Sequence, residues 1–198
     1  MAAAARRARR HDPDRRERIV DAAVRVVERD GIAALSHRAV AAEADVPLGS
    51  TTYHFTDLDA LLTAALERVN DGWLGWLAAW LGDAPPDEAP ADAAVRLIDD
   101  CLGPRLAQTR LEYELYFAGL TRPVVRPLAA RCLDDMAVLV RPLAPDEATA
   151  RAVVALLDGL LIQLMLTGRP HDPGQTRAAF ARLVPGNRTG SPRGPSTR

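Results

Sequence analysis

Residues 36–54 contain side chains that can form hydrogen bonds with phosphates and with base edges. Ser36 and Arg38 lie at the start of one short predicted helix, and Tyr53 and His54 lie at the end of the next. An arginine can bind guanine through two parallel bonds, worth roughly 1–3 kcal/mol of discrimination. Hydroxyl and phenol groups supply neutral bonds to phosphate. The sequence shows no metal-ligand spacing, nucleophile–base pattern or glycine-rich phosphate loop, so we predict recognition rather than enzymatic chemistry, with no metal and no cofactor.

A tight turn between two short helices positions these side chains. Ser36 caps a predicted helix over residues 37–44, and residues 45–47 form the turn into a second helix over residues 48–54. Phe55 is expected to fix this second helix against its neighbours. A helix-turn-helix places its second helix in the major groove of DNA. The stretch therefore predicts DNA binding.

The remaining predicted elements are also helical, so the predicted fold class is all-α. A helix that starts at Asp12-Pro13 and ends at Gly31 braces the turn, and a long helix capped by Asp57 continues to Trp80. Further helices are predicted over residues 91–108 with an interruption at Gly103-Pro104, 110–121, 123–141, 146–167 and 173–184. The predicted domains are a disordered basic arm (1–11), a helix-turn-helix DNA-binding domain (12–56), an effector-binding and dimerisation domain (57–184) and a disordered tail (185–198).

Charge is unevenly distributed along the chain. The net charge is −1, yet residues 1–18 hold seven arginines against three acidic residues, which gives +4 there and −5 for the remainder. All 25 basic residues are arginine. A basic end on an acidic body suits a protein that meets an anion at one end only. The arm is either a solvated tail or a segment that reaches phosphates or the minor groove.

Cysteine usage and hydropathy indicate a reducing, aqueous compartment. Cys101 and Cys132 are isolated and lack metal-ligand spacing, so reduced thiols are expected. We found no apolar run as long as the roughly 18 residues of a membrane span, and no secretory signal. A cytoplasmic protein with no membrane partner is therefore predicted.

The block RIVDAAVRVVERDGIAALSHRAVAAEADVPLGSTTYHFTDLDALL, residues 18–62, resembles the N-terminal domain of TetR-family transcriptional regulators. The likeness extends over the whole block without a gap, and the aromatic-His-Phe ending before a long helix is its most specific part. Residues 73–184 resemble the family only in being helical and of the right length. The resemblance implies a homodimer on a palindromic operator, a repressor, and release of double-stranded DNA when a small-molecule effector binds.

The resemblance places the DNA contacts at the start of the second helix and along the third, on Ser36, His37, Arg38, Leu48, Gly49, Ser50, Thr52, Tyr53 and His54. Thr52 stands where the family often has an aromatic residue, and Leu48 and Leu58 stand where it often has lysines. We therefore expect Arg38 and the N-terminal arginines to supply the positive charge. The alternatives are an ion pair of Arg38 with Glu43 or with an N-terminal acidic residue, and a helix-capping role for His54.

Most of the aromatic residues lie beyond the helix-turn-helix and predict a ligand site with an apolar wall and a few polar anchors. The predicted ligand contacts are Trp73, Trp76, Trp80, Tyr113, Glu114, Tyr116 and Phe117. Glu112 and Glu114 lie between two apolar sides of the helix over residues 110–121. Either carboxylate could face a cavity, which would suit a cationic ligand, or could pair with an arginine.

The segment over residues 147–168 is apolar on two sides, as in a helix that packs on its own body and on a partner subunit. By resemblance, this helix and residues 173–184 form the dimer interface, and we assign to it Val153, Leu156, Leu157, Leu160, Leu161, Leu164 and Phe180. The alternative is a core helix with intramolecular contacts alone.

Two other function classes compete with a DNA-binding regulator. One is a helical enzyme or small-molecule binding protein without DNA binding, and the other is a regulator whose head has lost its affinity for DNA. The salt dependence of binding to a palindromic duplex separates a DNA-binding regulator from the first class, since contacts with phosphates give a steep slope. Replacement of Arg38 and Tyr53 by alanine tests the second class, because unchanged operator affinity would favour it.

Overall fold

The computed structural model describes residues 13–184, so the predicted arm, the Asp12 cap and the predicted tail lie outside the described residues. Within residues 13–184 the chain forms α-helices and two 3-10 turns and no strand, which confirms the all-α prediction. The helices are α1 Arg15–Asp30, α2 His37–Glu43, α3 Leu48–His54, α4 Leu58–Gly82, α5 Pro90–Leu102, α6 Leu106–Thr121, α7 Arg126–Val140, α8 Glu147–Thr167 and α9 Pro173–Leu183. The 3-10 turns are Ile32–Ala34 and Arg141–Leu143.

Most helix ends follow local signals in the sequence. Gly31, with a φ of 80°, ends α1 in a conformation that favours glycine. The side chains of Ser36, Asp57 and Asp146 each accept a hydrogen bond from a backbone N–H in the first turn of the next helix. The predicted caps of α2, α4 and α8 are therefore confirmed.

The interruption predicted at Gly103-Pro104 is confirmed, since α5 ends at Leu102. Two predicted helix starts were wrong. Helix α6 begins at Leu106 instead of near residue 110. The first helix begins at Arg15 rather than at Pro13, and Asp14 at its N-cap position makes no side-chain capping bond.

The described chain divides into two compact units, and its path passes from one to the other within α4, between Pro104 and Arg105, and within α7. Unit 1 comprises the described residues up to Ala79 together with Arg105–Asp135. Its core buries Ile19, Val26, Phe55 and Leu66, and the α6 side chain Leu115 lies in the same cluster. The helix-turn-helix therefore shares one hydrophobic core with α4 and α6.

Unit 2 comprises Trp80–Pro104 and the described residues from Met136 onward. In it α9 packs against α5 and α8, and α5 also packs against α8. Ile98, Leu157 and Phe180 are buried there. These structural units do not coincide with the predicted division at residue 57, which was drawn by function and stays a prediction.

Helix α8 is long and apolar enough to cross a membrane by length and composition, since its mean hydropathy reaches 1.7. No membrane span was predicted from the sequence, because no uninterrupted apolar run is long enough. One such helix is weak support for a span, because the helices of soluble proteins pass the same test. Only 22% of its most apolar stretch is buried within the chain, so apolar side chains of α8 remain available to a partner.

Candidate nucleic-acid interface and effector site

The predicted DNA contacts on α2 and α3 are mostly exposed. Tyr53 is 83% exposed and Leu48 is 47% exposed, and Gly49 and Thr52 are exposed as well. Helix α3 packs against α2. The two short helices thus present their polar and small side chains outward, as a reading head requires. Ser36 and Arg38 are also exposed, whereas His37, Ser50 and His54 are half-buried.

Two buried residues fix α3. Phe55 is 3% exposed, which confirms its predicted anchoring role. Thr51 is fully buried, and its Oγ1 donates to the Leu48 carbonyl at 2.8 Å and lies 3.5 Å from the His37 carbonyl. This role of Thr51 could not be predicted from the sequence, because a run of small polar residues does not indicate which side chain points inward.

Arg38 does not form the predicted alternative ion pair with Glu43. Both carboxylate oxygens of Glu43 are occupied, one by Arg25 Nε and one by Arg29 Nη1, each at 2.8 Å. The hydrogen bond from Arg25, which has the larger effect, and that from Arg29 lower the pKa of the Glu43 carboxyl. Among residues 13–184, Arg38 has no acidic partner, so its guanidinium remains available for a phosphate or a base.

Gly49 has open space around its α-carbon. A Cβ built at this position would meet no atom within 4 Å. Packing inside the protein therefore gives no reason for a glycine at residue 49. A small residue on an exposed helix face lets the backbone approach a partner closely.

An indole–guanidinium–carboxylate cluster, hereafter the Arg105 cluster, lies within unit 1. Trp73 and Trp76 of α4 stack with their ring centroids 5.3 Å apart. The Arg105 guanidinium carbon lies 3.9 Å from the Trp76 ring centroid and 5.7 Å from the Trp73 centroid. Arg105 Nη2 donates to Glu112 Oε1 at 3.0 Å. Trp73 and Trp76 were predicted ligand contacts, whereas Arg105 and Glu112 were not assigned to the site.

The carboxyl of Glu112 is largely withdrawn from water, with 13% of its side chain exposed. Burial raises its pKa to about 7, although Arg105 and a hydrogen bond from Gln108 offset part of the rise. Asn70, one turn before Trp73 on α4, is 8% exposed, and its Nδ2 has no hydrogen-bond partner within the described part of the chain. Unit 1 thus contains stacked indoles, an ionisable carboxyl and a buried amide donor that lacks an acceptor.

Glu114, a predicted ligand contact, holds the connection between α1 and α2. Its Oε1 accepts a hydrogen bond from the Ile32 backbone N–H at 2.5 Å, next to Gly31 at the end of α1. Of the two glutamates considered, Glu112 is the one beside the indoles. The choice could not be made from the sequence, because both residues lie between the apolar sides of the helix.

The other predicted ligand residues are divided between the two units. Tyr113, Tyr116 and Phe117 form an aromatic group in unit 1, with ring centroids between 5.5 and 6.3 Å apart. Trp80 belongs to unit 2, where its ring lies 3.7 Å from the Arg96 guanidinium carbon and its Nε1 donates to Asp100 at 2.7 Å. The three tryptophans of α4 therefore lie in two different clusters.

The predicted interface residues also fall into two groups. Leu157, Leu161 and Phe180 are buried within the single chain. The other four are half-buried and leave surface for a partner: Val153, Leu156, Leu160 and Leu164. Which residues contact a second subunit stays a prediction.

A hydrogen-bonded Asp–His–Thr chain in unit 2 resembles a catalytic relay in its residue types. His171 Nδ1 lies 2.6 Å from Asp99 Oδ1, and its Nε2 lies 2.8 Å from Thr176 Oγ1. Thr176 is only 3% exposed, which withholds its hydroxyl from a substrate. The arrangement links the start of α9 to α5 and serves the fold.

Comparison with known families and proteins gives matches over both parts of the chain. The family described as "Bacterial regulatory proteins, tetR family" matches residues 19–65. The family described as "Tetracyclin repressor-like, C-terminal domain" matches residues 85–186.

Solved structures and curated relatives agree with these matches. The multidrug binding protein EbrR in complex with imidazole is 47% identical, with a TM-score of 0.79 over 90% of this chain and 99% of that chain. A TetR-family member from Streptomyces coelicolor A3 is 47% identical, with a TM-score of 0.72 over 87% of this chain and 99% of that chain. The transcriptional regulator BetI of Burkholderia thailandensis is 28% identical over 175 residues, which are 84% of this chain and 88% of that regulator.

Proposed function

The chain belongs to the TetR family of bacterial transcriptional regulators and is a helix-turn-helix, DNA-binding regulator, and we propose that it is a cytoplasmic repressor released by planar organic cations. It binds a palindromic operator as a homodimer, with the two α3 helices in successive major grooves. The observation that carries this proposal is the exposed face of α2 and α3, where Tyr53 is 83% exposed and Arg38 has no acidic partner within residues 13–184. Such a face offers hydrogen-bond donors to DNA.

Operator binding is tested by selecting bound duplexes from a random pool. A dimer predicts two half-sites whose centres are about one or more helical turns apart. Replacement of Arg38 by alanine is expected to weaken binding to the selected duplex roughly tenfold to a hundredfold. Arg110→Ala is the matched control, because it removes the same exposed charge from α6 and is expected to leave the affinity within about twofold.

Two results would contradict the DNA proposal. One is a slope near zero in a plot of the logarithm of affinity against the logarithm of salt concentration. The other is equal affinity for the Arg38→Ala and Arg110→Ala variants, which would exclude a contact through Arg38.

The proposed ligand class follows from the Arg105 cluster and from a relative. EbrR has been crystallised in complexes with ethidium, proflavin and malachite green. A flat cationic ring system stacks on indoles and pairs with a carboxylate. Trp73, Trp76 and Glu112 supply these groups in this chain, and Asn70 adds a buried donor for a polar substituent.

We propose that α6 transmits ligand binding to the reading head. Glu112 and Glu114 are two residues apart on this helix, and Glu114 accepts the hydrogen bond from Ile32 N–H. Leu115 lies in the core that α6 shares with α1. A ligand that shifts Glu112 would therefore disturb the turn Ile32–Ala34, which leads directly into α2.

The homodimer proposal is supported by the apolar surface of α8. Val153, Leu156, Leu160 and Leu164 are half-buried in the single chain, and Leu166 is 81% exposed. Burial of such a face against a second copy would remove apolar surface from water. A monomeric mass for the wild-type chain at micromolar concentration would contradict the proposal.

A further inference from the structure

Arg105 lies where a planar cation would bind in the Arg105 cluster. Its guanidinium carbon is 3.9 Å from the Trp76 ring centroid, and its Nη2 contacts the Glu112 carboxylate at 3.0 Å. A guanidinium is flat, delocalised and always charged, and it stacks on aromatic faces. These are the properties of the ligands proposed above. The indoles and the carboxylate therefore already hold a cation that the chain itself supplies.

The guanidinium is held by few hydrogen bonds. Glu112 receives one bond from it, and among residues 13–184 the buried Arg105 Nε has no hydrogen-bond partner. A buried donor without a partner has lost its bond to water without a replacement. Arg105 is thus desolvated without full compensation, with 20% of its side chain exposed. A side chain in this state can be displaced at a smaller cost than one with a complete set of bonds.

The backbone position of Arg105 also suits displacement. Arg105 is the N-cap residue of α6, immediately before the first helical residue, Leu106. Its long side chain can therefore leave the indoles by rotation about its own bonds, without any loss of helical hydrogen bonds. The exposed start of a helix gives a displaced guanidinium access to water.

We propose that Arg105 is a resident cation that planar organic cations must displace, so that it sets the affinity and the selectivity of the site for them. This inference rests on the proposed ligand class. A ligand enters when its stacking on Trp73 and Trp76 and its pairing with Glu112 exceed those of the guanidinium. Small or weakly stacking cations are excluded, which keeps the regulator on its operator.

The first test measures the affinity of the full chain for ethidium from the change in ethidium fluorescence. The titration is carried out at pH 8.5, where the carboxyl of Glu112 is ionised. Arg105→Ala is expected to bind ethidium roughly tenfold more tightly than the wild type, because no cation has to leave. Arg105→Lys keeps the charge but loses the flat stacking surface, and an intermediate affinity is expected. Where the wild type binds ethidium, equal or weaker binding by a folded Arg105→Ala variant would overturn the proposal.

Arg96 supplies the matched control. Its guanidinium carbon lies 3.7 Å from the Trp80 ring centroid, and it pairs with Glu88. Arg96→Ala therefore removes the same residue type from a comparable environment in unit 2. Its ethidium affinity is expected to stay within about twofold of the wild type. A tenfold gain in this variant as well would assign the effect to general loosening of the fold and would overturn the proposal.

The second test uses methylguanidinium, which replaces the missing side chain of the Arg105→Ala variant. Saturable quenching of tryptophan fluorescence at millimolar concentrations is expected for this variant, and none for the wild type, whose site is filled. The double variant Arg105→Ala/Glu112→Gln is expected to lose the response. Absence of saturable quenching in a folded Arg105→Ala chain would overturn the proposal.

The two tests distinguish failure of the resident-cation proposal from failure of the proposed ligand class. If Arg105→Ala binds methylguanidinium but neither this variant nor the wild type binds ethidium, the resident cation stands and the proposed ligand class fails. If the wild type binds ethidium and neither Arg105→Ala nor Glu112→Gln alters the affinity, the ligand binds elsewhere and the resident cation fails.

A measurement on the wild type covers the case in which Arg105→Ala does not fold. The Nε–H proton of Arg105, stacked on an indole, should resonate upfield of other arginine Nε–H protons, and Arg105→Lys identifies it. Ethidium is expected to abolish this upfield shift. A shift that persists at saturating ethidium would overturn displacement.

Discussion

The two units of the molecule contain the same three residue types in two different states. In the Arg105 cluster of unit 1, the guanidinium donates one bond to Glu112, and its Nε is buried without a partner. In unit 2, Arg96 donates to both oxygens of Glu88, at 2.8 and 2.7 Å, and stacks on Trp80. We call the second group the Arg96 cluster. The bonds to Glu88 also raise the pKa of the Arg96 guanidinium.

The comparison shows that composition alone does not distinguish a structural cluster from a binding site. A two-bond arginine–carboxylate fork satisfies both ions and fixes their geometry. A single bond leaves the Glu112 carboxyl with a pKa near 7 and a donor on Arg105 without an acceptor. We infer that the Arg96 cluster stabilises the fold and that the Arg105 cluster can exchange its cation.

The largest expected effect is the loss of ligand binding on neutralisation of Glu112. Glu112→Gln keeps the size of the side chain and removes the charge that a cation requires. Ethidium affinity is expected to fall roughly a hundredfold, which corresponds to about 2.7 kcal/mol. Fluorescence titration measures this change.

The matched variant for that prediction is Glu88→Gln. It alters the Arg96 cluster in the same way and is expected to leave ethidium affinity unchanged. Similar losses in both variants would remove the functional distinction between the clusters.

The next effect concerns folding stability, measured by urea unfolding at pH 7. Arg96→Ala leaves the nearly buried Glu88 without its partner, and the free energy of unfolding is expected to fall by about 2 kcal/mol. Arg105→Ala is expected to cost about 1 kcal/mol, because the carboxyl of Glu112 can take up a proton near neutral pH. The reverse order of the two losses would contradict our distinction between the clusters.

The pH dependence of ligand binding should be smaller. A cation binds the ionised form of Glu112, whose pKa of about 7 means that roughly a tenth is ionised at pH 6 and nine-tenths at pH 8. Ethidium affinity is therefore expected to rise about tenfold over this range, while Arg105 stays charged and Gln108 stays neutral. Glu112→Gln should give a flat profile, and an equally steep profile in this variant would assign the titration to another group.

The same carboxyl predicts the sign of a stability change in the free protein. Its pKa is higher in the folded chain than the ordinary value of 4.5, so the folded chain binds more protons between about pH 4.5 and 7. The contribution of Glu112 to the free energy of unfolding therefore decreases as the pH rises through this window. Comparison of Glu112→Gln with the wild type isolates that contribution, and equal slopes would contradict it.

The smallest expected effects distinguish the indoles. Trp76→Phe reduces the stacking surface in unit 1 and is expected to weaken ethidium binding about threefold, with little loss of stability. Trp80→Phe loses the Nε1 bond to Asp100 and is expected to cost about 1 kcal/mol of stability without a change in affinity. Calorimetric titration and urea unfolding of both variants test the pair, and exchanged phenotypes would contradict it.

Much of the fold could be predicted because its signals are local. Ser36, Asp57 and Asp146 cap the helices that follow them, and Gly31 ends α1 through its positive φ. Helix α3 was predicted with the bounds it has, because Pro47 and Phe55 mark its ends. These features depend on residues a few positions apart, which a sequence shows directly.

The residues of the proposed effector site could be predicted only in part, because their contacts are distant in sequence. Arg105 and Trp76 lie on different helices, and no pattern along the chain joins them. Arg105 was predicted within the helical stretch over residues 91–108, and the next helix was expected only from residue 110, so the N-cap position of Arg105 was not predicted. The choice between Glu112 and Glu114 depends on which side of α6 packs on α4 and which on α1, and only the tertiary structure decides it.

Gly49 has a consequence for how such a regulator can diversify. A glycine inside a helix costs up to about 1 kcal/mol relative to alanine, and no contact within residues 13–184 recovers this cost. Because the space around residue 49 is open, a larger side chain there would leave the core intact. After gene duplication, a copy of this protein could therefore acquire a new target sequence at residue 49 through single substitutions, each of which the folded chain would tolerate.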